Sequence, residues 1–323
     1  MRRCPSPVRR FIARALLCFA GAWAGAAWAD EHALILWIGQ YADPRVRIVG
    51  LERDAALARD MAQALGVPST NITERSNAQL THAGLKDALA DLRTRVRPGD
   101  GVFLYFSGHG RQLQRISGGP GCSEGLATYE GGIYFDLLLR GELDALAQRA
   151  SRVVMFNDSC FSGGAVTKSF SLSQAEDAAP KIYPASNEAA EQPDDAPLQA
   201  KGWSETSAKG NEAANAAASP ACGVHANPVS KAFGGLAQSP RQHGVLYMAG
   251  ASANEAAYPT PRGSVATRAW AACLQSREAD ANQDGVLTAA ELRQCAQSWL
   301  QRNTRYHQTI TLVGNSQVPL RRY

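Results

Sequence analysis

Beyond residue 30 the sequence has no apolar stretch approaching the length a helix needs to cross a bilayer, so no membrane-spanning segment is expected there. It has no internal repeat, and it lacks a surplus of either charge. Residues 1–29 carry Arg2, Arg3, Arg9, Arg10 and Arg14 and no acid, and these five arginines more than account for the formal net charge of +4. The remainder is close to neutral, which gives no reason to expect a nucleic-acid partner. Cysteine is sparse as well, with seven in 323 residues, two of them in the first 29.

The missing acids mark a leader. The arginines precede a short apolar stretch, Ala15–Trp23, and Ala27-Trp28-Ala29 follows as a cleavage pattern of small residues. A signal peptide over 1–29 is therefore expected, with a secreted or periplasmic mature chain over 30–323 and no membrane attachment after its removal. Five cysteines then remain: Cys122, Cys160, Cys222, Cys273 and Cys295. An odd count in an oxidising compartment points to one free thiol and up to two disulfides. If Cys160 is the free one, the other four allow three pairings, of which Cys122–Cys222 with Cys273–Cys295 is favoured.

At 45% hydrophobic residues the chain can build a sizeable core, and one large domain is the better expectation. Apolar strands are expected at Ala33–Gly39, Val102–Phe106, Val153–Phe156, Val245–Ala249 and Thr309–Val313. Amphipathic helices are expected at Asp54–Leu65, Thr81–Arg95, Gly141–Arg149, Val265–Arg277 and Ala289–Gln301. This alternation predicts an α/β fold around a mostly parallel sheet. The rhythm breaks over about 166–220, rich in Ala, Ser, Glu, Asp and Pro, which reads as a disordered linker inserted in the domain.

Two strand ends carry unusual residues. Val102–Phe106 runs into Ser107-Gly108-His109-Gly110, and Val153–Phe156 into Asn157-Asp158-Ser159-Cys160-Phe161-Ser162-Gly163. Parallel sheets present their sites at the carboxyl ends of strands. A thiol brought beside an imidazole there becomes a competent nucleophile. The backbone N–H groups of Gly110 and Cys160 are candidate donors to an oxyanion.

Tyr105–Gly110 and Asp158–Gly163 resemble the two catalytic motifs of the caspase-like cysteine peptidases, in the metacaspase branch and related bacterial caspase-family proteins. The separation of His109 and Cys160 matches the roughly 50 residues of caspases. The resemblance implies a caspase-like, mostly parallel six-stranded sheet flanked by helices, and a catalytic Cys160/His109 dyad working through a thioester. It places Asp158, Asp54 and Ser107 in a pocket for a substrate Arg or Lys, with charge-assisted hydrogen bonds to the bound cation. For Asp54 a helix N-cap is the competing reading. Protein or peptide substrates with basic residues are the implied partners, and no organic cofactor is needed. Lys168, Lys181, Lys201 and Lys209, in or beside the linker, predict self-cleavage into two pieces held together by the shared sheet. A non-catalytic caspase-like scaffold that binds peptides or partners is the alternative.

The sequence also departs from the family. The calcium site of some metacaspases is an aspartate cluster after the catalytic histidine, whereas Arg111–Gly132 has only Glu124 and Glu130 as acids. A separate match to an EF-hand-like calcium loop lies at 280–291, between two expected helices. Its candidate Ca2+ ligands are Asp280, Asn282, Asp284, the Val286 carbonyl, Thr288 and Glu291, with Gly285 at the sharp turn.

Overall fold

Ala33 to Ile38 is an unbroken apolar run, buried on both faces, as a strand with helices above and below it must be. It forms β1 (Glu31–Trp37) of a computed structural model that describes residues 29–114, 122–159, 181, 245–252 and 255–323, with backbone only at 112–114 and 122–124. Along the chain follow α1 (Leu51–Ala64), β2 (Ile72–Ser76), α2 (His82–Arg95), β3 (Gly101–Ser107), β4 (Gly110–Gln114), β5 (Cys122–Ala127), β6 (Ile133–Phe135), α3 (Asp136–Ala147) and β7 (Arg152–Asp158). After the linker come β8 (Val245–Ala249), α4 (Val265–Gln275), β9 (Val286–Thr288), α5 (Ala289–Asn303), β10 (Thr311–Gly314) and β11 (Pro319–Arg322).

Six strands form the central sheet in the order β10-β8-β7-β3-β1-β2, parallel except for β10. From β1 the chain moves outward to β2 through α1, then returns across β1 to β3 through α2, and continues to β7 through α3. Right-handed crossovers in opposite directions put α1 on one face and α2 and α3 on the other. The reversal falls between β1 and β3, so the crevice at their carboxyl ends is where this topology offers a site. Buried rings tie the sheet to α4: Phe156 lies 4.9 Å from Trp270 and 5.4 Å from Phe103. Burying rings of this size stabilises by about 1.5–3 kcal/mol each.

The helices follow their sequence signals closely. Thr81 caps α2 by accepting the Gly84 N–H at 3.0 Å, and the helix buries Leu85, Ala88, Leu89 and Leu92 on one stripe. Helix α1 starts earlier than its periodicity suggests. Its N-cap is Gly50 at φ +90°, where a Cβ would come within 2.4 Å of the Thr260 carbonyl oxygen. Asp54 therefore falls inside the first turn, on the buried stripe with Leu51, Ala55 and Ala58, which corrects the N-cap reading of this residue. Helix α3 likewise begins at Asp136, five residues before the sequence expectation.

A three-stranded antiparallel sheet, β4-β5-β6, leaves the central sheet directly after His109. At the other end, Cys273 of α4 and Cys295 of α5 form a disulfide with Cα atoms 5.9 Å apart, one of the two favoured pairings. The other, Cys122–Cys222, lies outside the described side chains. No described helix is long and apolar enough to cross a membrane.

Candidate active site

Strands β3 and β7 are parallel neighbours in a register that sets Ser107 beside Asp158. His109 lies two residues beyond the end of β3, and Cys160 follows the end of β7 by two residues in sequence, so the strands that lead to them are adjacent and end at the same sheet edge. The described residues end at Ser159 on this side; Cys160 itself lies outside them.

His109 is fixed by three contacts, two of them with Tyr41. Its backbone N–H donates to the Tyr41 hydroxyl at 2.7 Å, its ring lies 5.0 Å from the Tyr41 ring, and its Nε2 lies 2.7 Å from the Val46 carbonyl oxygen. A carbonyl only accepts, so Nε2 carries the proton and Nδ1 is the basic nitrogen of the neutral ring. Gly108 makes the approach of Tyr41 possible, since a Cβ there would sit 2.9 Å from the tyrosine oxygen. Burial pushes the His109 pKa down to about 4, with the Lys181 charge adding to the effect, against hydrogen bonding to the Val46 and Lys181 backbone. The imidazole is therefore neutral at neutral pH, the form a general base requires.

Below the histidine is a fully buried acidic pocket. Asp54, Ser107 and Asp158 are each 0% exposed. Ser107 Oγ donates to Asp54 Oδ2 at 2.7 Å. Asp54 Oδ1 accepts the Ser264 N–H at 2.6 Å, and its Oδ2 accepts the Ser264 hydroxyl. Asp158 Oδ2 accepts the Thr267 N–H at 3.1 Å and its hydroxyl at 2.5 Å. Ser264 is the N-cap of α4 and Thr267 its third residue. Both carboxylates thus face the positive end of that helix dipole, which offsets part of the cost of burying two negative charges. Burial still pushes the Asp158 pKa up, opposed by Lys181 and by Thr267.

Lys181 is the one described residue between Ser159 and Val245, and it is 0% exposed, with its side chain inside this pocket. Its ammonium lies 2.7 Å from Ser107 Oγ, 3.0 Å from the Asp158 carbonyl oxygen, and 3.3 Å from both Asp54 Oδ2 and Asp158 Oδ1. The backbone is held too. Its N–H donates to the Ala257 carbonyl at 3.0 Å, and its carbonyl accepts the Gly110 N–H at 3.1 Å. Sequence reading brought Asp54, Ser107, Asp158, His109 and Gly110 to this place. It missed Ser264 and Thr267, which reach the pocket from far along the chain, and it named Lys181 only as one of four linker lysines open to cutting. The rest of 166–220, with Lys168, Lys201 and Lys209, lies outside the described residues.

The loop at 280–291 lies away from this pocket, beyond α4. Gly285 takes φ +83°, and Asp280 accepts the N–H groups of Asp284 at 3.3 Å and Gly285 at 2.9 Å, turning its carboxylate inward. Asn282 accepts the Asp284 N–H at 2.9 Å, and Asp284 the Val286 N–H at 2.8 Å. Thr288 caps α5, and Glu291 folds back to accept from Ala281, Asn282 and Thr288. Burial opposes the Glu291 charge, but these hydrogen bonds outweigh it and hold the pKa below the usual range. Asp280, Asp284 and Glu291 do not gather within 4.8 Å of one another; among the described residues only Asp30, His32 and Asp100 do so. In that group Asp100 already accepts from Asp30 N–H, Arg97 N–H and His32, which marks it as a staple for the start of β1.

Comparisons with known proteins place this geometry. A sequence profile described as Caspase domain matches residues 30–319. Among solved structures, caspase-1 from Spodoptera frugiperda is similar with a TM-score of 0.54 and 10% identity, covering 91% of this chain and 90% of that one. A protein from Geobacter sulfurreducens is similar with a TM-score of 0.54 and 17% identity, covering 88% of this chain and 92% of that one. Sequence comparison with curated proteins finds no match.

Proposed function

The chain belongs to the caspase-domain family of cysteine peptidases, and from that premise we propose that it is an endopeptidase cutting peptide bonds after Lys or Arg. The observation that carries the basic specificity is the buried ammonium on Ser107, Asp54 and Asp158. A pocket with two carboxylates and a serine hydroxyl satisfies a cation and repels a substrate aspartate, which would add a third negative charge to a water-excluded site.

In this reading the Cys160 thiol gives its proton to Nδ1 of His109 and attacks the substrate carbonyl. The Gly110 N–H, with that of Cys160, stabilises the oxyanion. Collapse expels the amine, which takes the proton from the imidazolium, and water hydrolyses the thioester. The fixed tautomer of His109 and the position of the Gly110 N–H on a bound carbonyl support these roles.

Two further parts of the reading rest on sequence. Export follows from the leader over 1–29, giving a secreted or periplasmic enzyme. Calcium binding at 280–291 follows from the ligand types and is supported by the turn at Gly285 and the inward Asp280; the ion would clip α4 to α5. Hydrolysis of fluorogenic peptides ending in Arg, Lys or Asp, wild type beside Cys160→Ala, tests the central claim. Arg and Lys peptides should be cut and the variant should be inert. Turnover by Cys160→Ala, or a preference for Asp, sinks it.

A further inference from the structure

At the amino-terminal ends of β1 and β3, the end of the sheet away from the acidic pocket, another buried carboxylate is short of a cation. Asp100 is 3% exposed, and among the described residues its only ion-pair partner is His32, whose Nε2 lies 3.1 Å from Oδ2. No lysine or arginine side chain of the described residues reaches it. Burial opposes its charge, but the N–H groups of Arg97 and Asp30, with His32, outweigh that and hold the pKa below the usual range. The Asp30 side chain brings a second carboxylate oxygen within 4.8 Å of this group. Two acids thus share one imidazole, and a buried charge without a full counter-charge is costly.

The backbone of Asp30 offers the missing partner. Its nitrogen lies 2.8 Å from Asp100 Oδ1. The chain is already fixed around it: the Asp30 carbonyl accepts the Gly101 N–H at 2.9 Å, the Asn71 amide donates to the Glu31 carbonyl at 3.1 Å, and Arg152 holds the Glu31 carboxylate at 3.0 Å. Asp30 is also the residue that follows the expected leader cleavage after Ala29. In the uncut chain this nitrogen is a neutral amide. In the cut chain it is an α-amine, protonated at neutral pH, and its charge arises on Asp100 with no ordering cost.

We propose that Asp100 is a socket for the α-ammonium of the mature chain, so that leader removal turns the amide hydrogen bond at Asp30 into an ion pair that locks the start of β1. This rests on the leader reading and not on the peptidase reading. An external leader-cutting peptidase adds water to the Ala29 carbonyl, the C–N bond to Asp30 breaks, Ala29 departs as a carboxylate, and the freed amine takes up a proton. A charge-assisted hydrogen bond is roughly twice as strong as a neutral one. Strand β1 lies between β3 and β2 in the sheet, so a firmer start steadies both pairings. Full stability then comes only with processing.

The experiment compares mature chains that begin at Asp30 with chains that begin at Ala27, each with Asp100 or with Asp100→Asn, all released from a cleavable N-terminal fusion. With Asp100 in place the Asp30 start should melt higher by about 2 °C or more. In Asp100→Asn the two starts should melt together. Should Asp100→Asn fail to fold, a limiting amine-acylating reagent decides the matter. Peptide mapping should show the Asp30 amine modified about tenfold more slowly in the native Asp30-start chain than in the same chain unfolded in urea, since an ammonium does not acylate and one pKa unit is a factor of ten in free amine. Equal melting of the two starts, a difference that persists in Asp100→Asn, or equal labelling of native and unfolded amine overturns the inference and leaves the leader reading standing. N-terminal sequencing of the exported protein tests that reading, and a mature chain that starts anywhere but Asp30 removes both.

Discussion

At the scale of single residues, buried charge decides most of what is distinctive here. The motifs around His109 and Cys160 stand out in the sequence because each is local, a glycine-bracketed polar residue directly after an apolar strand. Asp54 was half legible: its spacing from Leu51, Ala55 and Ala58 puts it on a buried helical stripe, where an acid needs a partner. Its partners Ser264 and Lys181 were not, because 210 residues separate it from the first and the second comes from a segment with no apolar pattern. Replacing Asp158 by Asn removes half of the pocket's charge and should lower kcat/KM on lysyl peptides by at least about tenfold, with no gain on aspartyl ones. Steady-state kinetics on both peptides check this, and unchanged kcat/KM would refute the pocket role. A second carboxylate, Asp136 at the start of α3, is 4% exposed and has no hydrogen-bond partner among the described residues. Burial alone raises its pKa from 3.8 to about 7. Between those values the folded state holds a proton that the unfolded chain has lost, so this group makes stability fall as pH rises. His109 acts oppositely: from 6.5 down to about 4 the unfolded state binds the proton, so stability falls as pH falls. The two effects offset each other between pH 4 and 6.5. Asp136→Asn should expose the histidine slope and raise stability at pH 8 by on the order of 3 kcal/mol, with little gain at pH 4. Urea unfolding across that range tests it, and equal stability of the two proteins at pH 8 would count against it.

At the scale of elements, the strands and helices that sequence revealed are those whose burial is one-sided or complete. Strand β2 was missed because Ile72–Ser76 is a half-buried edge strand with the mixed sequence ITERS, which has neither an apolar run nor a clean alternation. The strands β4, β5 and β6 were missed for a similar reason, being short, with β5 interrupted by Gly125. Strand β11 supplies what the sequence could not show about the loop at 280–291. It pairs antiparallel with β9, so the edge that a second hand would cover is covered by the chain's own C-terminal strand. The Cys273–Cys295 bridge closes a 22-residue span around this loop, worth about 3 kcal/mol in the chain-entropy view. With the loop shaped by these constraints and by its own N–H groups, millimolar calcium should raise the melting temperature by a few degrees, on the scale of about 1 kcal/mol of binding. Glu291→Gln should abolish that increment. Scanning calorimetry with calcium, with magnesium and with chelator makes the comparison, and an equal response in the two proteins would leave the loop a polar turn capped by Glu291.

At the scale of the whole molecule, the long insertion separates β7 from β8, yet these are parallel neighbours in the middle of the sheet. Residues on the two sides of the insertion share one core. Phe156 packs on Trp270, Tyr105 meets the Thr267 hydroxyl at 2.6 Å, Asp158 binds the first turn of α4, and α1 packs on α4 through the surface that carries Asp54. The only disulfide among the described residues joins α4 to α5, both C-terminal to the insertion, so it does not link the halves. What joins them is the β7–β8 ladder and the apolar surface beneath it, whose burial does not depend on an intact connection. A chain cut between Lys181 and Val245 should therefore elute as one species from gel filtration in native buffer with reductant present. It should separate into two pieces only in denaturant, with a urea midpoint below that of the uncut protein, because unfolding now also gains the freedom of two chains. Dissociation of the nicked protein in native reducing buffer would mean that the halves fold as separate units. The candidate site could not then survive the cut, because Asp158 and His109 lie on one piece and Thr267 and Ser264 on the other.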